Sequence, residues 1–200
     1  MLVPGTALAD PVTLVAFGDS LTQGYGLPQE EGFVAQLSRW LEGEGAEVTL
    51  VNAGVSGDTT AGGRARIAWT LSGEVDAVIL NLAANDMLRG IEPSVARENL
   101  DAMLAELSAR EVPVLLAGVP AATNYGPDYK TAFDAIYPDL AADYDTLLYP
   151  NFLAGLGVET LQAASALMQP DGIHPNAEGV ARIVADIGPL VLDLVAQTDD

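Results

Sequence analysis

Val12-Thr13-Leu14-Val15-Ala16-Phe17 is an apolar run that stops abruptly at Gly18-Asp19-Ser20-Leu21. Unbroken apolarity, in place of alternation, is the pattern of a strand covered on both faces. Four further β-rich runs follow, at 48–52, 77–82, 112–119 and 146–149. Between them lie segments of helical length at 32–43, 59–71, 94–110, 129–144 and 177–197, with apolar residues at three- and four-residue spacing. Phe33, Leu37 and Trp40 are one such stripe and have the spacing of core residues. Strand and helix alternate along the chain, which predicts an α/β fold, a three-layer α/β/α sandwich around a central, mostly parallel five-stranded sheet.

Sheets of this kind place their sites at the carboxyl ends of the strands. Gly18-Asp19-Ser20 follows the first run, Ala53-Gly54-Val55-Ser56-Gly57-Asp58 the second and Ala83-Ala84-Asn85-Asp86 the third, so three polar turns converge on one edge. A serine hydroxyl is a weak nucleophile unless a base lies within hydrogen-bond reach, and imidazole is the side chain best matched to that task near pH 7. The chain has one histidine, His174, in Asp171-Gly172-Ile173-His174. It is therefore the one candidate imidazole base for Ser20. Position 22 is threonine, so the Gly-x-Ser-x-Gly elbow of α/β-hydrolases is absent. Asp19 and Asp86 read as loop-bracing acceptors, since aspartates in turns commonly bind nearby backbone.

Taken together, Gly18-Asp19-Ser20-Leu21, Gly57 within Ser56-Gly57-Asp58, Asn85-Asp86 and Asp171-x-x-His174 resemble the four conserved blocks of the SGNH, or GDSL, hydrolases, in the expected order across nearly the whole chain. Asn52-Ala53, Thr59, Leu88-Arg89-Gly90, Asn124-Tyr125-Gly126, Ala135-Ile136-Tyr137-Pro138 and Pro175-Asn176 are similar to segments of the bacterial periplasmic thioesterase/lysophospholipase/arylesterase group of that family. The resemblance implies the flavodoxin-like SGNH fold and a catalytic triad of Ser20, Asp171 and His174. It implies an oxyanion hole built from the N–H groups of Ser20 and Gly57 and the side-chain amide of Asn85. It also implies a substrate loop at Asn124, Tyr125 and Gly126, and no cofactor. An Asp-x-x-His triad pair works only if the segment turns both side chains to one side, which Gly172 and Pro175 favour. Pro175 is expected at the start of the last helix. Many relatives carry glycine before the Asn-Asp pair; here Ala83-Ala84 stands there, and a positive φ at position 84 would strain alanine and displace Asn85.

The expected activity is hydrolysis of carboxylic esters through an acyl-serine, on short or medium acyl and aryl esters, acyl thioesters or lysophospholipids. A carbohydrate acetylesterase on the same framework is the alternative, and a binding module that has lost chemistry a more distant one. Twenty-eight acidic residues against eight basic ones leave a formal charge of −20. Such a field disfavours nucleic acid and anionic membrane surfaces, and predicts weaker action on anionic than on neutral esters at low salt. The partner is then a small-molecule ester or thioester, without stable membrane association. With no cysteine, disulfides and thiolate metal sites are excluded, and one histidine argues against a dedicated transition-metal site. No stretch reaches the roughly 18 apolar residues of a membrane span. Ala7-Leu8-Ala9 before Asp10 has the small-x-small form of a signal-peptidase site. Residues 1–9 are thus expected to be a leader remnant or a disordered tail, residues 10–200 a single hydrolase domain, and the native protein periplasmic or secreted.

Overall fold

The first apolar run forms β1 (Val12–Gly18), an interior strand of the sheet, with Leu14, Val15, Ala16 and Phe17 buried. The computed structural model describes residues 11–157 and 163–198; the leader-like segment 1–9 and the acidic tail 199–200 lie outside them. The other strands are β2 (Val48–Gly54), β3 (Ala77–Asn81), β4 (Val114–Ala117) and β5 (Leu147–Tyr149). All four pairings are parallel and the order is β2-β1-β3-β4-β5. Parallel strands need crossovers, and the helices supply them. Helices α2 (Phe33–Gly43) and α8 (Ala177–Ala196) pack together on one face, while α3 (Thr60–Thr70), α5 (Pro93–Ser108) and α7 (Ile136–Tyr144) pack in series on the other. The result is the expected three-layer sandwich.

The chain leaves β1 towards β2 over one face and returns from β2 to β3 over the other, so the strand order reverses at β1. A crevice opens at such a switch point, outside the carboxyl ends of the strands. Gly18 is level with both Gly54 and Asn81. The three polar turns therefore start side by side. Two one-turn helices escape a reading by periodicity, α1 (Ser20–Gln23) and α4 (Ala84–Leu88), and both lie on this crevice.

Three expectations need correcting. Strand β2 is not covered on both faces: it is the sheet margin, its residues are half-buried or exposed, and Val51 is 40% exposed. The segment 129–144 is two helices, α6 (Pro127–Asp134) and α7, because Pro138 in the first turn of α7 has no N–H to continue the ladder from α6. Pro175 does not open α8; Asn176 is the N-cap, its side chain accepting the Gly179 N–H at 3.0 Å, and Pro175 precedes it. Trp40 is half-buried and lies over Gly188 of α8, where a Cβ would come within 2.7 Å of the indole. No helix among the described residues is long and apolar enough to cross a membrane.

Candidate active site

Ser20 is the first residue of α1, which begins as soon as β1 ends. Asp19 caps it, accepting the Leu21 N–H at 3.0 Å, and Gly24 closes it in the left-handed region at φ 86°. Folding a helical turn back over the strand ends demands small residues below it. A Cβ on Gly18 would lie 2.1 Å from the Thr22 hydroxyl, and one on Gly54 2.4 Å from the Gln23 nitrogen. The Gly-Asp-Ser spelling is thus a packing requirement as well as a chemical one.

His174 reaches Ser20 from 154 residues downstream, its Nε2 2.8 Å from Oγ, while its Nδ1 lies 2.7 Å from Oδ2 of Asp171. The turn foreseen for this segment is built by Asp171 itself: Oδ1 accepts the N–H groups of Ile173 at 2.9 Å and His174 at 3.0 Å. Those backbone donors, with the imidazole, hold the Asp171 carboxyl down at about 2. It stays ionised at any pH above that. The Gln169 N–H donates to His174 O at 2.7 Å and pinches the loop closed. The Tyr25 ring lies against the imidazole, centroids 4.7 Å apart, and Gln169 Nε2 holds the Tyr25 carbonyl at 2.8 Å.

Opposite the nucleophile, Gly57 adopts φ 79°, and neither its N–H nor that of Ser20 has a protein acceptor among the described residues. Asn85, in the first turn of α4, directs its amide nitrogen at Asp58 O (2.9 Å) and, at the limit of bonding, at Asp19 Oδ2 (3.4 Å). Asp19 is 1% exposed, and burial pushes its carboxyl up to about 6 against the help of the Leu21 N–H. The strained backbone falls one residue earlier than anticipated: Ala83 has φ 92° and Ala84 is helical, so the Asn85 amide is anchored by its own partners.

These elements are bolted together by residues that carried no motif signal. Arg66 spends its guanidinium on Gly18 O (2.9 Å), Ala53 O (2.8 Å) and Asp58 Oδ2 (2.8 Å), and stacks 3.8 Å above Phe17. It ties the ends of β1 and β2 to the Gly57 turn. Asp86 accepts both the N–H (2.8 Å) and the hydroxyl (2.6 Å) of Thr60, whose oxygen accepts a hydrogen bond from the Asn99 amide (3.2 Å), all three residues being buried. That joins α4 to α3. Asp86 is thus the brace that its position in a turn suggested. A lone arginine or threonine inside a helix has no spacing that announces such a role.

A cavity of about 330 Å³ opens beside Ser20 and His174, walled by Leu21, Tyr25, Met87, Val119, Leu153 and Ile173, with Gly57 and Asn85 at its polar end. Asn124, Tyr125 and Gly126 are not among its lining residues, against expectation. The Tyr125 ring is occupied elsewhere: it covers Gly90, where a Cβ would lie 2.9 Å from it, and its hydroxyl donates to Leu88 O at 3.2 Å. It touches the site only through Leu88, which does line the cavity. Among the described residues no three His, Cys, Asp or Glu side chains group as metal ligands.

A hydroxyl, an imidazole and a carboxylate in hydrogen-bond series, facing unpaired N–H donors beside an apolar cavity, suit acyl transfer. Residues 16–182 match the profile of the GDSL-like lipase/acylhydrolase family. The chain belongs to that family. It is 39% identical to Esterase TesA of Pseudomonas aeruginosa, over 97% of this chain and 94% of that protein. It is 34% identical to thioesterase 1/protease 1/lysophospholipase L1 of Escherichia coli, over 92% of this chain and 82% of the relative. The crystal structure of AlinE4, an SGNH-hydrolase family esterase, is 40% identical and superposes with a TM-score of 0.77, covering 94% of this chain and 98% of that one. GDSL-family membership and the SGNH layout of the sheet agree.

Proposed function

We propose that residues 10–200 work as one hydrolase domain in which Ser20 attacks the acyl carbon, His174 is general base and then general acid, and Asp171 orients and stabilises the imidazolium. The activity is carboxylic-ester hydrolysis, the chemistry of the GDSL family. In acylation His174 Nε2 takes the Ser20 proton as Oγ bonds to carbon, and returns it to the leaving alcohol or thiol. In deacylation a water takes the leaving group's place and the acid is released. Charge on the carbonyl oxygen is met by the Ser20 and Gly57 N–H groups and by the Asn85 amide hydrogen that is only weakly engaged by Asp19 at 3.4 Å and turns to the oxyanion, each such donor worth roughly 3 kcal/mol of barrier.

One observation carries this reading: the continuous Ser20–His174–Asp171 series at 2.8 and 2.7 Å, with two unpartnered N–H groups beside the nucleophile. The substrates are short to medium acyl and aryl esters, extending to acyl thioesters and lysophospholipids. The apolar cavity supports an acyl chain beyond acetyl, and the thioesterase and lysophospholipase in one relative's name support the wider ester and thioester class. The acidic surface favours small-molecule partners over nucleic acid or membrane, and Ala7-Leu8-Ala9 supports export to the periplasm or beyond. Hydrolysis of p-nitrophenyl esters from acetyl to palmitoyl tests the reading. Turnover peaking above acetyl and falling at least a thousandfold in Ser20→Ala is expected; release confined to acetyl esters would favour an acetylesterase, and turnover that survives in Ser20→Ala would end the proposal.

A further inference from the structure

We infer that Arg89 forms an anion-binding subsite at the lip of the ester site, taking a carboxylate or phosphate carried on the alcohol or thiol portion of the substrate. The inference rests on the esterase reading above. Arg89 caps the C-terminus of α4, directly after Leu88, which lines the cavity. Its Nη2 donates to Gly57 O at 2.7 Å, so the guanidinium bridges the two walls between which the oxyanion forms. Among the described residues no other nitrogen of this group has a protein partner, and the residue is exposed.

Its freedom is unusual in this chain. Of the eight lysines and arginines, five are ion-paired: Arg66, Arg97, Arg110, Lys130 and Arg182. Arg39 binds the Glu30 carbonyl and Arg64 the Asn99 side chain, neither of them a residue of the cavity wall, whereas Arg89 binds Gly57, which is. Arg89, held to Gly57 at the rim of the cavity, has no acidic partner among the described residues, although the chain has 28 acids. The carboxylates of that region are already engaged: Asp58 by Arg66, Asp86 by Thr60 and Asp171 by His174. A guanidinium with free N–H groups presents a fork that matches carboxylate or phosphate oxygens. The cavity is apolar and would receive the acyl chain, so the anion it meets must lie outside, on the departing portion.

The overall charge of −20 slows the approach of any anion, whereas Arg89 acts at contact distance. A comparison of ratios separates the two. The probes are p-nitrophenyl butyrate and 3-carboxy-4-nitrophenyl butyrate, which share an acyl group and differ by one carboxylate. Replacing one cation changes the net field little, and the ratio of kcat/KM on the two esters is independent of how much of a variant is folded. In Arg89→Gln the anionic-to-neutral ratio is expected to fall about fivefold or more, through KM, and Arg89→Lys to recover part of it. An unmoved ratio would overturn the subsite alone: equal losses on both esters would mean that Arg89 acts only through Gly57, and no loss that it does nothing. Absence of Ser20-dependent turnover on the neutral ester would instead overturn the esterase reading, and the subsite with it.

Discussion

Asp19 carries a cost that the site needs. Its folded-state value of about 6 lies above the ordinary 3.8, so the unfolded chain gives up this proton first. Stability therefore falls as pH rises from about 4 to about 6, by roughly 3 kcal/mol for a gap of that size. Asp19→Asn should flatten this interval and raise the melting temperature at pH 8. It should also lower kcat several-fold, because the acceptor facing the Asn85 amide is lost. Thermal melts at pH 4 and pH 8 beside ester kinetics check both; a variant no more stable at pH 8 than wild type would contradict the burial argument. Ala83 is a milder case. Relief of its positive φ by Ala83→Gly, about 1–2 kcal/mol, is offset by a lost buried methyl and added chain entropy, so stability should shift by under about 1 kcal/mol. Turnover should hold, because Asp58 O and Asp19 orient Asn85. A large kcat gain in that variant would show that residue 83 displaces the amide. At this scale the nearness of His174 to Ser20 was legible because a single histidine left little choice, and that of Asp171 through family resemblance, whereas the contacts of Tyr25, Arg66 and Thr60 were not, because contact across the fold has no spacing in sequence.

The elements that make the site are the shortest ones. Helices α1 and α4 span four and five residues, too few for a 3.6-residue period to register, and are held by caps and by neighbours. Long strands and helices were legible from apolar runs; β2 was misjudged because position in the sheet, not composition, decides which strand is marginal. The Asp86–Thr60–Asn99 network is what couples α3 to α4. Thr60→Val keeps the shape and the Thr60 N–H but removes the hydroxyl, leaving one oxygen of a buried carboxylate without its donor. We expect about 2–3 kcal/mol of destabilisation by denaturant unfolding and a fall in kcat with little change in KM. A loss of stability with kcat intact would show that the network holds the fold without tuning the oxyanion donors.

In the whole molecule, the reversal of strand order at β1 brings the three polar turns to one crevice, where Arg66 fixes the first two and the Asp86–Thr60 bonds the third. That convergence was legible from the order of strands and turns. The path by which the loop carrying His174 reaches Ser20 across 154 residues is set by packing and has no signal in the spacing of the sequence. Asn124, Tyr125 and Gly126 stay outside the cavity wall, which Tyr25 and Leu88 help to form, because packing is decided in three dimensions. The central claim is a covalent acyl-transfer site at Ser20. It is tested most directly by reacting the protein with a p-nitrophenyl alkylphosphonate and mapping the adduct by intact and peptide mass. We predict one phosphonyl group on Ser20, absent in Ser20→Ala and formed at least a hundredfold more slowly in His174→Ala. Stoichiometric labelling at another residue, or unimpaired labelling of Ser20→Ala, would contradict the account.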